Sequence, residues 1–272
     1  MKNGIAAPPG RMKHYGSQRS LESYRDLVIV LLQKELRVRY TNKALGYFWS
    51  IANPLSSAVI YYVAFGLIMK VHEQDYPLLL ISGLFPWQWF SNVVCSSPNL
   101  FVSSSSIIKK LSFPREIVPL CAALNHAIHY IASLPIIFLL LILLHKPFHL
   151  SWIYGLPILL VIQFVMTYGI SLALSSINLF FRDLDRLTNI IMHFMLFLSP
   201  VLYSIDRFPP NYRKIVIALN PAAALLANWR DLILHGTLNY VYLLVSTVFA
   251  IVLFGFGYFV YRKLSWKFAE LI

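Results

Sequence analysis

The stretch SIIKKLSFPREIVPL, residues 106–120, lies between two long apolar runs and decides how the rest of the chain is interpreted. It carries three basic residues, one acid and two prolines in fifteen positions. The runs around it, 76–108 and 117–145, contain no Asp, Glu, Lys or Arg. Each is longer than the roughly 20 apolar residues that a helix needs to cross a bilayer. The pattern therefore predicts two membrane spans joined by a short, charged turn.

The composition of the whole chain is that of a membrane protein. Of its 272 residues, 58% are hydrophobic and only 12% are charged, whereas soluble domains carry about 25% charged residues. Six runs without Asp, Glu, Lys or Arg are long enough, or nearly so, to cross: 44–69, 76–108, 117–145, 147–181, 187–205 and 232–261. A seventh run, 215–229, is too short to span unaided. We therefore expect an all-α polytopic membrane protein with six transmembrane helices.

The expected order along the chain is a mobile cytoplasmic tail, an amphipathic interfacial helix, a six-span domain and a second cytoplasmic tail. These parts are placed at 1–20, 21–43, 44–262 and 263–272. The spans are expected at about 47–69, 77–103, 117–144, 152–181, 187–205 and 238–261. Before the last span, two short apolar pieces are broken by Phe208-Pro209-Pro210 and by Asn220-Pro221. They predict a re-entrant extracytoplasmic helical hairpin at about 208–236.

The net charge of +12 supports this topology. With both termini in the cytoplasm, most of the 23 Lys and Arg residues lie on the cytoplasmic side, where basic residues concentrate in membrane proteins. In a seven-span alternative, in which 215–229 also crosses, the basic residues are divided less unevenly. We therefore expect both termini in the cytoplasm and no nucleic acid as a partner. The stretch 106–120 is cytoplasmic in either topology.

Missing motifs restrict the chemistry of the chain. There is no G-x-x-x-x-G-K-[ST] loop to hold a nucleotide phosphate, and no Gly is followed by Lys. The apolar runs lack the midmembrane charges of ion-coupled carriers. His126 and His129 are only a weak metal pair, Cys95 and Cys121 form no disulfide framework or metal site, and no nucleophile motif is present. We expect no catalytic residue and no metal, and an energy source on a partner.

Aromatic residues are abundant in the first and fifth predicted spans. Packing and lipid contact explain them simply, but ring faces can also stack on sugars along a channel. Periodicity does not decide between these alternatives. The candidates for a channel lining are Tyr61, Tyr62, Phe65, Phe194, Phe197 and Tyr203.

Six blocks of the sequence carry a family resemblance. In order they are RDLVIVLLQKELRVRYTNKALGYFWSIANPL, IIKKLSFPREIVPL, NLFFRDLDR, SPVLYS, LNPAAALLANWRDLILHG and WKFAELI. Together, over residues 21–272, they resemble the membrane (permease) subunit of polysaccharide-exporting ABC transporters. The closest branch is the O-antigen exporter permeases, Wzm, with capsule and teichoic-acid export permeases as relatives. The last block reads FAE where the family more often has FAD.

The resemblance implies a homodimer of six-span subunits with two copies of a nucleotide-binding ATPase subunit. The chain would hold no cofactor of its own, because ATP and Mg would bind to the partner. It would lie in the bacterial inner membrane, in contact with membrane lipids, and export a lipid-linked polysaccharide such as O-antigen for lipopolysaccharide biosynthesis.

The resemblance also implies roles for particular residues. The interfacial helix, over residues 21–39, would lie at the membrane interface and touch the ATPase, and its site residues would be Lys34, Glu35, Arg37 and Arg39. An entrance loop would contain Leu45 and Gly46, and an extracytoplasmic gate would surround Asn220 and Pro221. The coupling helix, over residues 104–115, would contact the ATPase. Its expected ATPase-coupling residues are Ile107, Ile108, Lys109, Lys110, Leu111, Phe113, Pro114 and Arg115. Ile107, Ile108 and Leu111 would hold one face against the membrane domain, and Lys109 and Lys110 would face water or an acidic partner. The first and fifth spans would line the channel.

Three alternatives remain open at the level of sequence. The same fold could export a capsule polysaccharide, a teichoic acid, a small lipid or a drug. A membrane-embedded transferase acting on lipid is a second alternative, although no acidic or metal constellation lies in the spans. A gradient-driven carrier is a third, and it lacks midmembrane charges.

Overall fold

The computed structural model describes residues 24–33, 48–71, 73, 75–110 and 113–268. Several predicted features lie outside these residues: the tail over 1–20, Lys34, Glu35, Arg37 and Arg39 of the interfacial helix, Leu45 and Gly46 of the entrance loop, Leu111 of the coupling helix, and the last four residues of the chain.

Within the described part of the chain, every regular element is a helix and no strand is present. The first five helices are α1 (24–33), α2 (Phe48–Tyr61), α3 (Tyr76–Ser96), α4 (Leu100–Ser103) and α5 (Ser105–Lys110). They are followed by α6 (Ile117–Leu143), α7 (Trp152–Asn178), α8 (Leu184–Leu198), α9 (Pro210–Leu219), α10 (Ala223–His235) and α11 (Tyr240–Leu264). Short 3₁₀ turns are found at Ser97–Asn99, Ile205–Arg207 and Ser265–Lys267. The all-α prediction is confirmed for these residues.

Among the described residues, four helices are long and apolar enough to cross a membrane. They are Tyr76–Ser103, Ile117–Leu143, Trp152–Asn178 and Tyr240–Lys267. Where the first and fifth spans were predicted, the helices are shorter: an apolar helix at Ala52–Ile68 and the 15-residue α8. By length and composition the structure therefore supports a multi-pass membrane protein, with four such helices among the residues it describes.

The end of the first predicted span is π-helical. α2 continues directly into a seven-residue π-helix, Tyr62–Ile68. Gly66 makes room for the ring of Tyr62, because a Cβ there would lie 3.0 Å from that ring. The Tyr62 ring in turn stacks on Tyr76 of α3, with 6.3 Å between centroids. π-Helical turns are rare and occur often at functional sites.

α3 is the central helix of the fold. In its apolar window 78% of the residues are buried, against 17% for α11. Leu78, Leu80 and Leu84 are almost completely inaccessible, as expected for a helix that is apolar on all sides. α2, α6, α7, α8 and α10 all pack on it. α11, in contrast, presents most of its apolar surface outward and is suited to lipid contact.

α7 and α11 form the closest helix pair, and glycine permits it. A Cβ on Gly257 would overlap the carbonyl oxygen of Gly169, and a Cβ on Gly169 would overlap the backbone of Phe254. Small residues at such a crossing let two membrane helices approach until their backbones touch. α7 and α11 are thereby fixed to each other as one unit.

Candidate functional site

A buried arginine lies at the predicted extracytoplasmic end of the fold. Arg230 of α10 is only 3% exposed, and its guanidinium donates to the carbonyl oxygens of Tyr203 at 2.7 Å and Val201 at 2.9 Å. Gly83 of α3 leaves space for it, since a Cβ there would lie 2.6 Å from Nη2. A guanidinium keeps its charge at neutral pH, so the group is a cation here. A fixed cation thus ties the segment after α8 to α10.

Within the described residues, this cation has no carboxylate at ion-pair distance. Among the residues that the structure describes, Arg230 takes part in no ion pair, and its Nε has no hydrogen-bond partner. A buried charge is costly unless it is hydrogen-bonded. Here the carbonyls of Val201 and Tyr203 and, at 3.5 Å, that of Leu79 in α3 compensate part of that cost. Ionisable groups buried in membrane proteins are usually functional.

Asn220, one of the two predicted gate residues, joins three elements. Its Nδ2 donates to Ser199 Oγ at 2.7 Å, directly after α8. Its Oδ1 accepts from the backbone N–H of Ala222 at 3.0 Å, where α10 begins. Pro221 lies between these contacts and breaks the helix after α9. The Asn-Pro pair therefore fixes the corner between α9 and α10 against the end of α8.

α10 is anchored deep along α7. The indole N–H of Trp229 donates to Gln163 Oε1 at 2.6 Å, and Gln163 Nε2 donates to the carbonyl of Pro86 in α3 at 2.8 Å. Gln163 and Trp229 are completely buried. Closer to the start of α7, Trp152 Nε1 donates to the carbonyl of Leu232 at 2.7 Å. These polar contacts fix the depth of α10 between α3 and α7.

Ion pairs connect the loops at the same end of the fold. Arg207, just before α9, lies 2.6 Å from Glu73 in the loop after the π-helix. Arg213 of α9 lies 3.0 Å from Asp206, and Lys146 pairs with Asp75 at the start of α3. α9 itself buries no residue. Exposed ion pairs contribute only about 1 kcal/mol or less, so α9 is attached much more weakly than α10.

One face of α8 carries a ladder of polar side chains. Asn189 Nδ2 donates to the carbonyl of Asp185 at 2.7 Å, and His193 Nδ1 lies 2.7 Å from the carbonyl of Asn189. His193 is exposed beside Phe194 and Phe197, which are 67% and 57% exposed. A polar stripe on an apolar membrane helix is unfavourable against lipid. This face of α8 therefore suits a water-filled path or another subunit.

The predicted aromatic candidates differ in their surroundings. Phe194 and Phe197 are exposed, whereas Tyr61, Tyr62, Phe65 and Tyr203 are half-buried against the core. Tyr61 and Phe65 are neighbours, with ring centroids 6.4 Å apart. The hydroxyl of Tyr203 donates to the carbonyl of Phe197. Tyr203 therefore lies next to Phe197 at the end of α8. Tyr61, Tyr62 and Phe65 form a separate group where α2 meets the π-helix.

The predicted coupling residues lie at the opposite end, which the charge distribution assigns to the cytoplasm. Lys109 and Lys110 are exposed on α5, and Ile107, Pro114 and Arg115 are half-buried. Ile108 and Phe113 pack on a cluster of the chain's own residues. This cytoplasmic cluster consists of Phe101, Val118, Leu172, Leu179, Tyr261 and Phe268. Phe113 is thus a packing residue of this chain as well as a predicted contact for the ATPase.

No metal centre is evident in the part of the chain that the structure describes, since it contains no group of three or more His, Cys, Asp or Glu residues suited to a metal ion. His126 and His129 are neighbours on α6 with ring centroids 6.4 Å apart. Cys95 and Cys121 are not in a disulfide.

The comparisons with known proteins identify the family. The family model described as ABC-2 type transporter matches residues 26–234. The chain belongs to the ABC-2 type transporter family. It is 40% identical over 247 residues to the O-antigen export system permease protein RfbA of Klebsiella pneumoniae, covering 91% of this chain and 95% of that protein.

More distant relatives are also similar over most of their length. This ABC-2 transporter chain is 28% identical over 213 residues to RfbA of Myxococcus xanthus, covering 78% of this chain and 82% of that protein. It is 22% identical over 243 residues to the polysialic acid transport protein KpsM of Escherichia coli, covering 86% and 92%. The resemblance to polysaccharide export permeases stated from the six blocks is confirmed.

Sequence reasoning did not find every notable residue of the ABC-2 chain. The sequence pattern did not single out Arg230, although a charged residue within an apolar piece is itself a signal. Gln163 and Trp229 gave no signal, because their pairing joins residues far apart in the chain. The stripe of Asp185, Asn189 and His193 was readable from its four-residue spacing.

Proposed function

We propose that this chain is the permease subunit of an ABC transporter that exports a lipid-linked, O-antigen-like polysaccharide. The observation that carries this proposal is the 40% identity to an O-antigen export permease over 95% of that protein's length. The aligned region covers 91% of this chain, so it extends well beyond any single motif. The chain is accordingly a transport component rather than an enzyme.

ATP hydrolysis is assigned to a partner subunit. The ABC-2 family implies an ATPase partner, and the sequence has no phosphate-binding loop of its own. We propose two permease chains with two ATPase subunits, which bind the ATP and Mg. The exposed Lys109 and Lys110 on α5 suit contact with an acidic surface of such a subunit.

The proposed topology has six spans in the bacterial inner membrane, with both termini cytoplasmic. α2 and its π-helical continuation form one helical run, Phe48 to Ile68, close to the roughly 30 Å of a hydrocarbon core. α8 is shorter, about 22 Å at 1.5 Å per residue. Residues 199–203, which follow α8 and contact Arg230, would extend the fifth span across the rest of the membrane.

α9 and α10 are proposed to form the re-entrant hairpin. Trp229 reaches Gln163, the twelfth residue of the 27-residue α7, and both side chains are completely buried. Such depth for a 13-residue helix that cannot span supports a return to the side it entered from. Backbone of this kind is tolerated in a membrane where protein surrounds it, as α3, α7 and α11 do here.

The translocation path is proposed to lie along α2 and α8. Both helices pack on α3, and both expose polar groups: Asn53 and Ser56 on α2, and His193 on α8. Exposed Phe194 and Phe197 add ring faces that can stack on sugars. In a homodimer these faces would be shielded from lipid.

The cargo can be tested in the source bacterium. In a strain without this chain, we expect O-antigen to disappear from the cell surface and the lipid-linked polymer to accumulate on the cytoplasmic side of the inner membrane. Immunoblots of surface and membrane fractions measure both. Loss of a capsule instead, the cargo class suggested by the similarity to KpsM, would contradict the O-antigen assignment. Unchanged surface polysaccharides would contradict polysaccharide export altogether.

Reversing the charge of Lys110 should uncouple the two subunits. Lys110→Glu is expected to lower polysaccharide export about tenfold, because like charges placed together at an interface cost several kcal/mol. The side chain is exposed, so the variant should fold normally. Export and ATPase activity of the purified complex measure the effect.

A matched control for this prediction is Lys70→Glu, an equally exposed lysine at the extracytoplasmic end of the first predicted span. It should leave the coupling of export to ATP hydrolysis unchanged. Equal export by the two variants would remove the coupling role from Lys110. Phe113→Ala is a less specific variant, because Phe113 also packs on the cytoplasmic cluster.

A further inference from the structure

The first residue before α6 is held by two other helices. Glu116 follows the predicted coupling helix and is the N-cap residue of α6. The hydroxyl of Tyr261, from α11, donates to Glu116 Oε2 at 2.5 Å. The hydroxyl of Tyr168, from α7, lies 3.4 Å from the carbonyl oxygen of Glu116. α7 and α11 therefore both contact the point where the coupling helix joins α6.

The turn after α11 holds the neighbouring residue. Arg115 Nη1 lies 3.5 Å from the carbonyl of Ser265, and its Cζ lies 5.8 Å from the centre of the Phe268 ring. Phe268 is completely buried. Its ring centroid is 5.0 Å from that of Phe101 and 5.9 Å from that of Tyr261. We call Phe101, Arg115, Glu116, Tyr261 and Phe268 the cytoplasmic clamp.

The clamp adds polar contacts to a segment that is otherwise held by the packing of Ile108 and Phe113 on the cytoplasmic cluster. α5, which carries the exposed lysines, buries no residue of its own. Charge-assisted hydrogen bonds are about twice as strong as neutral ones, and the bond from Tyr261 to the Glu116 carboxylate is of that kind. The side chain of Glu116 makes no capping hydrogen bond to its own helix. Its carboxylate therefore serves the contact with α11.

The clamp joins the coupling helix to a rigid pair of helices, α7 and α11. α7 and α11 touch at Gly169 and Gly257 and cannot slide easily past each other. The same two helices pack on α10, which carries Arg230. A displacement of the coupling helix would reach this unit through Glu116 and Arg115.

We propose that Glu116 and Tyr261 are positioning residues that fix the coupling helix to the α7–α11 unit, so that force from the ATPase moves the membrane helices. This inference rests on the proposed function. Movement would pass through this chain by two contacts. One is the hydrogen bond from Tyr261 to Glu116, and the other is the contact of Arg115 with Phe268 and the turn Ser265–Lys267.

The test uses the complete complex with its ATPase subunits in proteoliposomes. Tyr261→Phe keeps the ring in the aromatic cluster and removes only the hydroxyl. We expect the polysaccharide exported per ATP hydrolysed to fall about tenfold, the factor that corresponds to one hydrogen bond to a charged group, while ATP hydrolysis continues. Tyr258→Phe is the control, since Tyr258 is 43% exposed on the same helix. A wild-type ratio in Tyr261→Phe would overturn the proposal.

A double-mutant cycle separates positioning from simple packing. Glu116→Ala should lower the ratio as much as Tyr261→Phe, and the double variant should be no worse than either, because all three lack the same bond. Glu116→Gln keeps an acceptor and should retain part of the coupling. Additive losses in the double variant would show that the two residues act separately, against the proposal.

A second measurement does not depend on the cargo. Spin labels on Ser106→Cys in α5 and Phe256→Cys in α11, both exposed positions, report the distance between the two helices in a background without Cys95 and Cys121. With and without ATP, we expect one narrow distance distribution in the otherwise unmodified complex and a broad one with Tyr261→Phe. A narrow distribution in both proteins would contradict the proposed role of Tyr261. If the distances behave as expected but no polysaccharide is exported, only the proposed function is contradicted.

Discussion

Replacing Gly257 with leucine is expected to destroy the packing of α7 against α11 and with it most of the folded protein. A Cβ at this position already overlaps the carbonyl oxygen of Gly169, so even alanine needs a shift of backbone against backbone. Forcing extra atoms into a packed core costs about 1–3 kcal/mol when side chains can adjust. Two backbones in contact cannot adjust in this way, so the cost should reach or exceed the upper end of that range.

Thermal unfolding and size-exclusion chromatography in detergent measure this effect. Gly257→Leu should give mainly aggregated protein, and Gly257→Ala a clearly lowered melting temperature. The control is Gly255 on the same helix, where an added Cβ meets nothing within 4 Å. Gly255→Ala should be neutral or slightly stabilising, because alanine favours a helix by about 1 kcal/mol over glycine. Equal melting temperatures for the two alanine variants would show that the helix contact is not required.

The features that the sequence predicted well are set by local composition. A run without charged residues can be read as a span because each crossing needs its own apolar surface. The end of α9 at Leu219 and the end of α10 at His235 are also set by local sequence. Proline stops a helix, and Gly236, with φ of 65°, adopts the left-handed conformation that commonly ends one.

The features that were missed depend on contacts between distant parts of the chain. Trp229 and Gln163 are 66 residues apart, and Arg230 bonds carbonyls 27 and 29 residues away. No local pattern specifies such partners. The packing of Phe113 on the chain's own cytoplasmic cluster belongs to the same class, because that cluster joins α4, α6, α7 and α11 only in the folded protein.

Removing the charge of Arg230 should release the segment between α8 and α9. In Arg230→Met the carbonyls of Val201 and Tyr203 lose their donors, and each unsatisfied buried group costs about 1–3 kcal/mol. Part of that cost is offset, because the cation no longer has to be buried. We therefore expect the protein to remain folded while residues 201–203 detach from α10 and export falls at least tenfold.

Detachment can be measured at Leu202, which is 2% exposed. With Leu202→Cys and the native arginine, a membrane-impermeant maleimide added from outside should not react, and with Arg230→Met it should react readily. Arg230→Lys keeps the charge but lacks the planar fork that reaches both carbonyls, so it should behave like the methionine variant. Arg213→Met, at the partly exposed arginine of α9, is the control and should leave the introduced thiol protected. If all four proteins are protected equally, the guanidinium does not hold this segment, and other contacts do, such as the one from the Tyr76 hydroxyl to the carbonyl of Leu202 at 3.2 Å.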